Sequence, residues 1–299
     1  MKLVKMMLKY FRSLIGAPIY LVRTYDHVRD ISDHVRDISA NRSIPANPIT
    51  QKHAQIYKDL ERLSARRRGD LLDVDGITVR INPPRVIETV NEVILSGDYD
   101  FSTNGEHGYV LIDVGMNVGF ATLMKAKDPA FTHVYGFEPL KPTYDIARAN
   151  IELNPQIAKK IETFNFGLSN ENKELRVKFA MDEIMSVSSE GTFDACFTEN
   201  ASEEVIKVKS ASEVLSPIFK KHETNRIFLK LDCEGAEFKI LPELESAGLL
   251  RQCHVLVIEW HNQSPDELFK ILSRNGFFYF TEKRNVEWNV GFIRAVAKR

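Results

Sequence analysis

From about residue 72 the chain alternates short apolar runs with stretches whose apolar positions recur every three or four residues. The runs are YVLID (109–113), THVYGF (132–137), IETFNF (161–166), IFLKLD (227–232) and HVLVIE (254–259). FATLMKAK and PTYDIARANIEL, between the first three, carry helical spacing. This alternation predicts βαβ units around a parallel sheet, an α/β fold. DVDGITVRI (73–81) has an Asp-Gly pair at its centre and predicts a hairpin. RVIETVNEVILSG (85–97) predicts a helix stopped by glycine. KELRVKFA (173–180) and EEVIKVKS (203–210) predict extra antiparallel strands before the fourth core strand. GFFYF (276–280) and VGFIRAVA (290–297) predict a closing hairpin.

Upstream the rhythm is helical. Lys2, Lys5, Lys9 and Arg12 fall on one face of a helix over 1–13, and Leu3, Met7, Phe11 and Leu14 on another. Such a helix can lie on an anionic membrane surface, or pack against protein. DHVRDIS then occurs twice, at 26–32 and 33–39. Val28, Ile31, Val35 and Ile38 make an a/d seam that Leu21 extends. Residues 19–44 are therefore expected to form a homo-oligomer, a dimer or a trimer; the alternative is one amphipathic helix packed on its own domain. Pro45 and Pro48 end this element, and a Lys/Arg-rich helix through ARRRG (65–69) is expected next. Three segments result: 1–45 as basic helix and short coiled coil, 46–108 as helical and hairpin lead-in, and 109–299 as the main domain.

Charge sharpens this division. Of 299 residues, the first 70 hold 14 Lys/Arg against 7 Asp/Glu, and the remaining 229 hold 26 against 34. An acidic main domain argues against nucleic acid as partner. The basic end suits an anionic surface. Cys196, Cys233 and Cys253 lack metal-ligand spacing and read as free thiols in a reducing compartment. No apolar run is long enough to cross a membrane. The stretch 14–22 resembles a short signal region, but no small-residue cleavage site follows it. The expectation is a cytoplasmic protein that can meet the inner face of a membrane through residues 1–15.

The first core strand runs into VLIDVGMNVGF (110–120). Asn117 and Phe120 stand where the dinucleotide fingerprint needs its second and third glycines. Asp113, ahead of Gly115 and Gly119, would repel a pyrophosphate and favour a ligand with a cationic centre. Glu138 follows the second strand, where an acid can accept ribose hydroxyls. Two acids and no phosphate cradle favour S-adenosylmethionine over NAD.

LIDVGMNVGFATL, GFEPLKPTYDIARANIELN and IFLKLDCEGAEFKIL resemble the three signature blocks of the FkbM-type methyltransferases, in the right order. VILSGDYDF (93–101) resembles their lead-in, and the likeness covers roughly residues 85–280. It departs at Met116, where the family usually has alanine, and at VKSASEVL (208–215). The resemblance implies a doubly wound, mostly parallel, seven-stranded Rossmann-like methyltransferase sheet. Its C-terminal end would be an antiparallel hairpin, and an N-terminal helical or coiled-coil segment would precede it. It implies an O-methyltransferase acting on a hydroxyl, often of a sugar or glycolipid, sometimes of a polyketide-like small molecule. A non-catalytic oligomeric scaffold on the same fold and an NAD-dependent oxidoreductase are the competing classes.

Methyl transfer to a hydroxyl needs an in-line acceptor and a place for its proton. Asp232, Glu259 and His261 end adjacent strands on one rim and are the expected catalytic residues. Asp232 could instead cap a helix, and His261 could be structural. Glu234 and Glu237 suit a helix N-terminus, Glu237 with the better case for facing the site. Two carboxylates and a histidine are a thin set for Mg²⁺, so metal-independent transfer is favoured. The expected cofactor residues are Asp113, Gly115, Asn117, Gly119, Glu138, Asn165, Phe166 and Gly167. Phe166 would pack on adenine, or be core. Asn150 and Asn154 are expected to end a helix and shape a turn. Lys230 should point away from Leu229 and Leu231.

Overall fold

The computed structural model describes residues 48–84, 86–103, 105–179, 202–285 and 289–298. The basic helix, the heptads, the oligomerisation expected of 19–44 and Cys196 fall outside the described residues.

Helix α1 (Pro48–Arg62) buries Ile56 and Leu60. It does not continue through 65–69, as the basic composition predicts. Ser64 adopts φ 63°, in the left-handed region where helices end. Arg66–Arg68 instead form β1, antiparallel to β2 (Leu71–Val74). Arg68 donates to both carboxylate oxygens of Asp73, at 2.7 and 2.9 Å, a forked pairing that suits a guanidinium. Asp75 and Gly76, at φ 45° and 75°, turn β2 into β3 (Ile77–Arg80). Both central residues have positive φ, as an Asp-Gly hairpin requires.

Helix α2 (Val86–Val90) widens into a π-helical turn, Asn91–Leu95. Ser96 N donates to Asn91 O at 2.8 Å, and Gly97 (φ 64°) ends the element. π-turns are frequent at functional sites. This one leads directly to Asp98 and Tyr99.

The rest runs β4 (Tyr109–Val114), α3 (Phe120–Lys127), β5 (Phe131–Phe137), α4 (Lys141–Glu152), α5 (Pro155–Ala158) and β6 (Ile161–Phe164). Then come β7 (Gly167–Ser169), β8 (Lys173–Phe179), β9 (Ser202–Ser210), α6 (Ala211–Lys221), β10 (Arg226–Leu231) and α7 (Glu237–Ser246). The chain closes with β11 (Cys253–Trp260), α8 (Asp266–Arg274), β12 (Phe277–Asn285) and β13 (Val290–Ala297). The 161–166 run is strand only to Phe164; Asn165 and Phe166 link β6 to β7.

Among the described residues one sheet has seven strands, in the order β12-β13-β11-β10-β4-β5-β6. The five from β11 to β6 are parallel; β13 is antiparallel to β11 and to β12. Helices and the lead-in cover both faces, which is why β4, β10 and β11 read as nearly unbroken apolar runs. Alternate side chains feed two cores. Leu111, Phe228, Val255 and Val257 pack with Val74, Val79, Val86, Ile87 and Val90 of the lead-in. Val110, Ile112, Leu229, Leu231, Leu256 and Ile258 pack with Leu215, Ile240 and Ile271 of α6, α7 and α8. The lead-in thus shares a core with the sheet. β7, β9 and β8 form a separate small sheet, in which β8 and β9 are antiparallel as expected.

Asn154 serves the helix end and turn as expected, donating to Asn150 O at 2.8 Å in the last turn of α4, and both asparagines do more than that. Asn150 accepts from Arg80 N (2.7 Å) and donates to Val118 O (2.9 Å). Asn154 accepts from Thr78 N (2.9 Å) and donates to Thr78 O (2.7 Å). Together they fasten the β2–β3 hairpin to α4, and Asn150 also holds the turn after β4. No helix of the described residues is long and apolar enough to cross a membrane.

Candidate active site

The chain winds outward from β4 through β5 to β6, then from β10 to β11 on the other side of β4. The order reverses between β4 and β10. Ligands of open α/β sheets bind beyond the strand C-termini at such a point.

The turn after β4 contains three left-handed residues: Gly115 (φ 78°), Asn117 (φ 53°) and Gly119 (φ 85°). Gly115 is glycine for a reason beyond ligand approach. A Cβ there would lie 1.7 Å from Asp232 O, because the ends of β4 and β10 touch. Met116 is accommodated by Gly136: a Cβ on that glycine would lie 2.4 Å from Met116 Sδ. Asn117 Oδ1 accepts from Val118 N at 2.7 Å, which stabilises its unusual φ.

Asp113 is wholly buried. Its Oδ2 accepts from Thr122 Oγ1 (2.6 Å), and its Oδ1 lies 3.0 Å from Lys230 Nζ. Lys230 points away from Leu229 and Leu231, as expected. It donates to Gly115 O at 2.9 Å and lies 3.4 Å from Asp232 Oδ2. Burial alone would lower the Lys230 pKa, but Asp113 and Asp232 outweigh it and keep the ammonium charged. Lys230 therefore ties the ends of β4 and β10 together, and Asp113 works through it.

Glu138, at the end of β5, is 8% exposed. Its Oε2 accepts from Asn117 N (3.1 Å) and its Oε1 from Leu140 N (2.9 Å). Burial pushes its carboxyl up to about 7, against those two hydrogen bonds. Asn165 donates to Glu138 O and Pro139 O, at 3.0 and 3.1 Å. Phe166 packs against Phe137 and Phe164, with Lys209 Nζ 4.1 Å from its ring centre. Gly167 is enclosed by Val208 and Pro139. Asn165, Phe166 and Gly167 thus hold the β5–β6 corner, and Phe166 is half-buried, with its packed side against the core.

Asp232, Glu259 and His261 do converge. One ligand atom from each lies within 4.8 Å of the others. His261 Nε2 is 3.9 Å from Asp232 Oδ1, 3.9 Å from Glu259 Oε1 and 3.8 Å from Glu234 Oε2. Glu237, fully buried, accepts from His261 N (2.8 Å) and lies 3.2 Å from His261 Nδ1. It also accepts from Gly235 N at 2.9 Å, so it both orients the imidazole and serves the loop before α7. Asp232 makes no helix cap.

Tyr99 was not expected here. Tyr99 OH donates to Asp232 Oδ2 at 2.7 Å and lies 3.5 Å from Glu259 Oε2. The only signal in the sequence was its place in VILSGDYDF. Asp98 beside it is fixed by Arg284 (2.5 Å) and by Arg294, which donates to Asp98 O at 3.0 Å. The closing hairpin thereby pins the lead-in to the rim. Glu234 has φ 54°, a strained value for a glutamate and a frequent mark of functional sites.

The electrostatics follow from crowding acids out of water. Burial pushes Glu234 up to about 7 and Glu259 well above the carboxylate range. Burial would raise Asp232 too, but Lys230, His261 and the Tyr99 hydrogen bond outweigh it and hold it ionised. Burial would lower His261, yet the bond to Glu237 and the nearby carboxylates push it up to about 10.

The family model for the Methyltransferase FkbM domain matches residues 113–279. Among solved structures, a methyltransferase FkbM from Methylobacillus flagellatus KT is 14% identical with a TM-score of 0.41. The match covers 81% of this chain and 59% of that one, so this chain spans less than two thirds of its length. An rRNA methylase from Streptococcus thermophilus is 10% identical (TM-score 0.37; 65% and 89% covered). TrmK of M. capricolum, in complex with S-adenosyl-homocysteine, is 11% identical (TM-score 0.38; 65% of each chain covered). No curated protein matches the sequence.

Proposed function

The chain belongs to the FkbM methyltransferase family, and from that premise we propose that it methylates a hydroxyl of a sugar, glycan or glycolipid. S-adenosylmethionine is its methyl donor. The residues fit that cofactor. Each Glu138 oxygen accepts one backbone N–H, which leaves each with a further acceptor position. Two adjacent ribose hydroxyls match this pair. Asn117 and the Gly115–Gly119 turn line the same edge.

The observation that carries the hydroxyl reading is the convergence of Asp232, Glu259 and His261 beside that turn. When bound, S-adenosylmethionine supplies an electrophilic methyl whose bonding pair leaves with sulfur. The chain must then orient the acceptor oxygen and take its proton at a carboxylate of the cluster. Tyr99 and Lys230 hold Asp232 Oδ2, so Oδ1 is the oxygen turned toward the cluster. Glu237 fixes His261, and the imidazolium offers a donor that can position the acceptor. In this reading His261 orients and Asp232 or Glu259 receives the proton. A rim of acids and one tyrosine also suits a polyhydroxylated acceptor, which can donate several hydrogen bonds to it.

Calorimetry with S-adenosylhomocysteine and with NAD tests the cofactor, and mass spectrometry of glycans from cells expressing wild type or Asp232→Asn tests the reaction. S-adenosylhomocysteine should bind and NAD should not. Asp232→Asn should lower methylation by about 10²–10⁴, the range of a lost acid–base group. Wild-type glycan methylation in that variant would remove the hydroxyl reading.

A further inference from the structure

We infer that Asp232, Glu259 and His261 form a binding site for one divalent cation, which holds the acceptor oxygen. This reverses the metal-independent transfer expected from the sequence, and it rests on the hydroxyl-methylation reading above.

Three facing atoms make the site: Asp232 Oδ1, Glu259 Oε1 and His261 Nε2. The separations of 3.9 Å are too long for hydrogen bonds. Adjacent ligands of an octahedral site with bonds near 2.1 Å stand ~3 Å apart, so the three groups would draw together by about 1 Å on a cation. His261 is 6% exposed, and its Nε2 has no hydrogen-bond partner among the described residues.

The atoms behind these three are arranged as a metal's outer shell. The far nitrogen of His261 sits on the Glu237 carboxylate, the usual way a ligating imidazole is oriented. The far oxygen of Asp232 is held by Tyr99 and Lys230. The far oxygen of Glu259 also faces Tyr99. Each ligand thus has one end anchored in protein and the other turned to a common point.

Carboxyl groups crowd around that point. Asp232, Glu234 and Glu259 surround a single imidazole nitrogen. Lys230 is already shared between Asp113 and Asp232. A cation bound there would share its charge among these groups and favour their ionised forms. A mixed nitrogen and oxygen set with open positions suits Mn²⁺ or Zn²⁺ better than Mg²⁺, which favours oxygen and water. A cation there would displace the imidazolium proton of His261 to solvent, take over from it the positioning of the acceptor oxygen, and make that oxygen's own proton easier to lose.

The test uses full-length protein stripped with a chelator and titrated calorimetrically with Mn²⁺, Zn²⁺ and Mg²⁺, with electron paramagnetic resonance of the Mn²⁺ sample. One Mn²⁺ or Zn²⁺ per chain is expected. Glu259→Gln and Asp232→Asn should each weaken it about 100-fold, and Tyr99→Phe about 10-fold, the range seen for ligands and their supports. S-adenosylhomocysteine affinity, measured on the same samples, shows that each variant is folded. No binding of any of the three metals to wild type, or equal binding by wild type and Glu259→Gln, overturns the cation site. If S-adenosylhomocysteine still binds then, the methyltransferase reading stands without it. Stoichiometric Mn²⁺ lost in Glu259→Gln supports the site even where glycan methylation is not found, and that result would count against the hydroxyl reading alone.

Discussion

Glu138 carries two loads at once, and they predict opposite responses to pH. Its carboxyl is raised from the ordinary range to about 7 by burial. The folded protein therefore binds a proton more tightly than the unfolded chain between about pH 4.5 and 7, so this residue's contribution to stability falls as pH rises through that window. A shift of about two and a half units corresponds to roughly 3 kcal/mol at most. Cofactor binding runs the other way, because ribose hydroxyls need the ionised acceptor. Affinity for S-adenosylhomocysteine should strengthen as pH rises toward and past 7, with a loss of up to about tenfold one unit below. Calorimetry at pH 6, 7 and 8 on wild type and Glu138→Gln checks this. The variant should bind more weakly and lose the pH dependence; a variant that keeps it would move the titrating group elsewhere. Gly115 is the second residue with a sharp expectation. Gly115→Ala would drive a Cβ into the Asp232 backbone at a positive φ. Neither strand end can swing away as a side chain could, so a loss of about 3 kcal/mol or more is expected in urea unfolding.

At the scale of elements, the lead-in is fastened to the sheet by few polar links, and Asn150 is the most economical to test. It bridges β3 and the turn after β4 from its place on α4. Asn150→Ala leaves Arg80 N and Val118 O without those partners, at a cost of about 1–3 kcal/mol for each group left unsatisfied. The melting temperature should drop, and S-adenosylhomocysteine affinity should drop with it, since Val118 belongs to the turn that carries Asn117. Asn154→Ala touches only the hairpin and α4, so it should lower stability while sparing affinity. Equal losses of affinity in both variants would show that the hairpin, rather than the turn, transmits the effect. These asparagines were visible in the sequence as residues of a helix end and turn but not as clamps. Their partners lie about 70 and 76 residues upstream, and local spacing carries no information about such a contact.

At the scale of the whole molecule, cofactor, sheet and lead-in are predicted to melt together. The lead-in and one face of the sheet share a core, and Tyr99 and Asp98 connect the lead-in to the rim and to the closing hairpin. A ligand at 100 times its dissociation constant adds about 2.7 kcal/mol. For a domain of this size that is a rise of roughly 5–10 °C. Scanning calorimetry with S-adenosylhomocysteine should show one transition moved upward by that amount, and NAD should leave it in place. Two separate transitions, with only one responding, would mean that the lead-in folds independently.

The order of strands and helices, the two hairpins and the acids at the strand ends were legible in the amino-acid sequence. Burial on both faces writes apolar runs, Asp-Gly writes a tight turn, and the residue after a parallel strand falls on the ligand rim whatever lies around it. Asp113, Glu138, Asp232, Glu259 and His261 could all be picked out on that ground. What each does could not. Asp113 is absorbed by Lys230 and Thr122, and Gly115 by the backbone of Asp232. Phe166 has one side against Phe137 and Phe164 and is half-buried. The facing of Asp232, Glu259 and His261 at one point, with Tyr99 behind them from 133 residues upstream of Asp232, exists only when β10, β11 and the lead-in are brought together. Hydrophobic periodicity is a local property and survives in a sequence. Whether a carboxylate meets a ligand, a lysine or another carboxylate depends on neighbours that only the folded chain supplies.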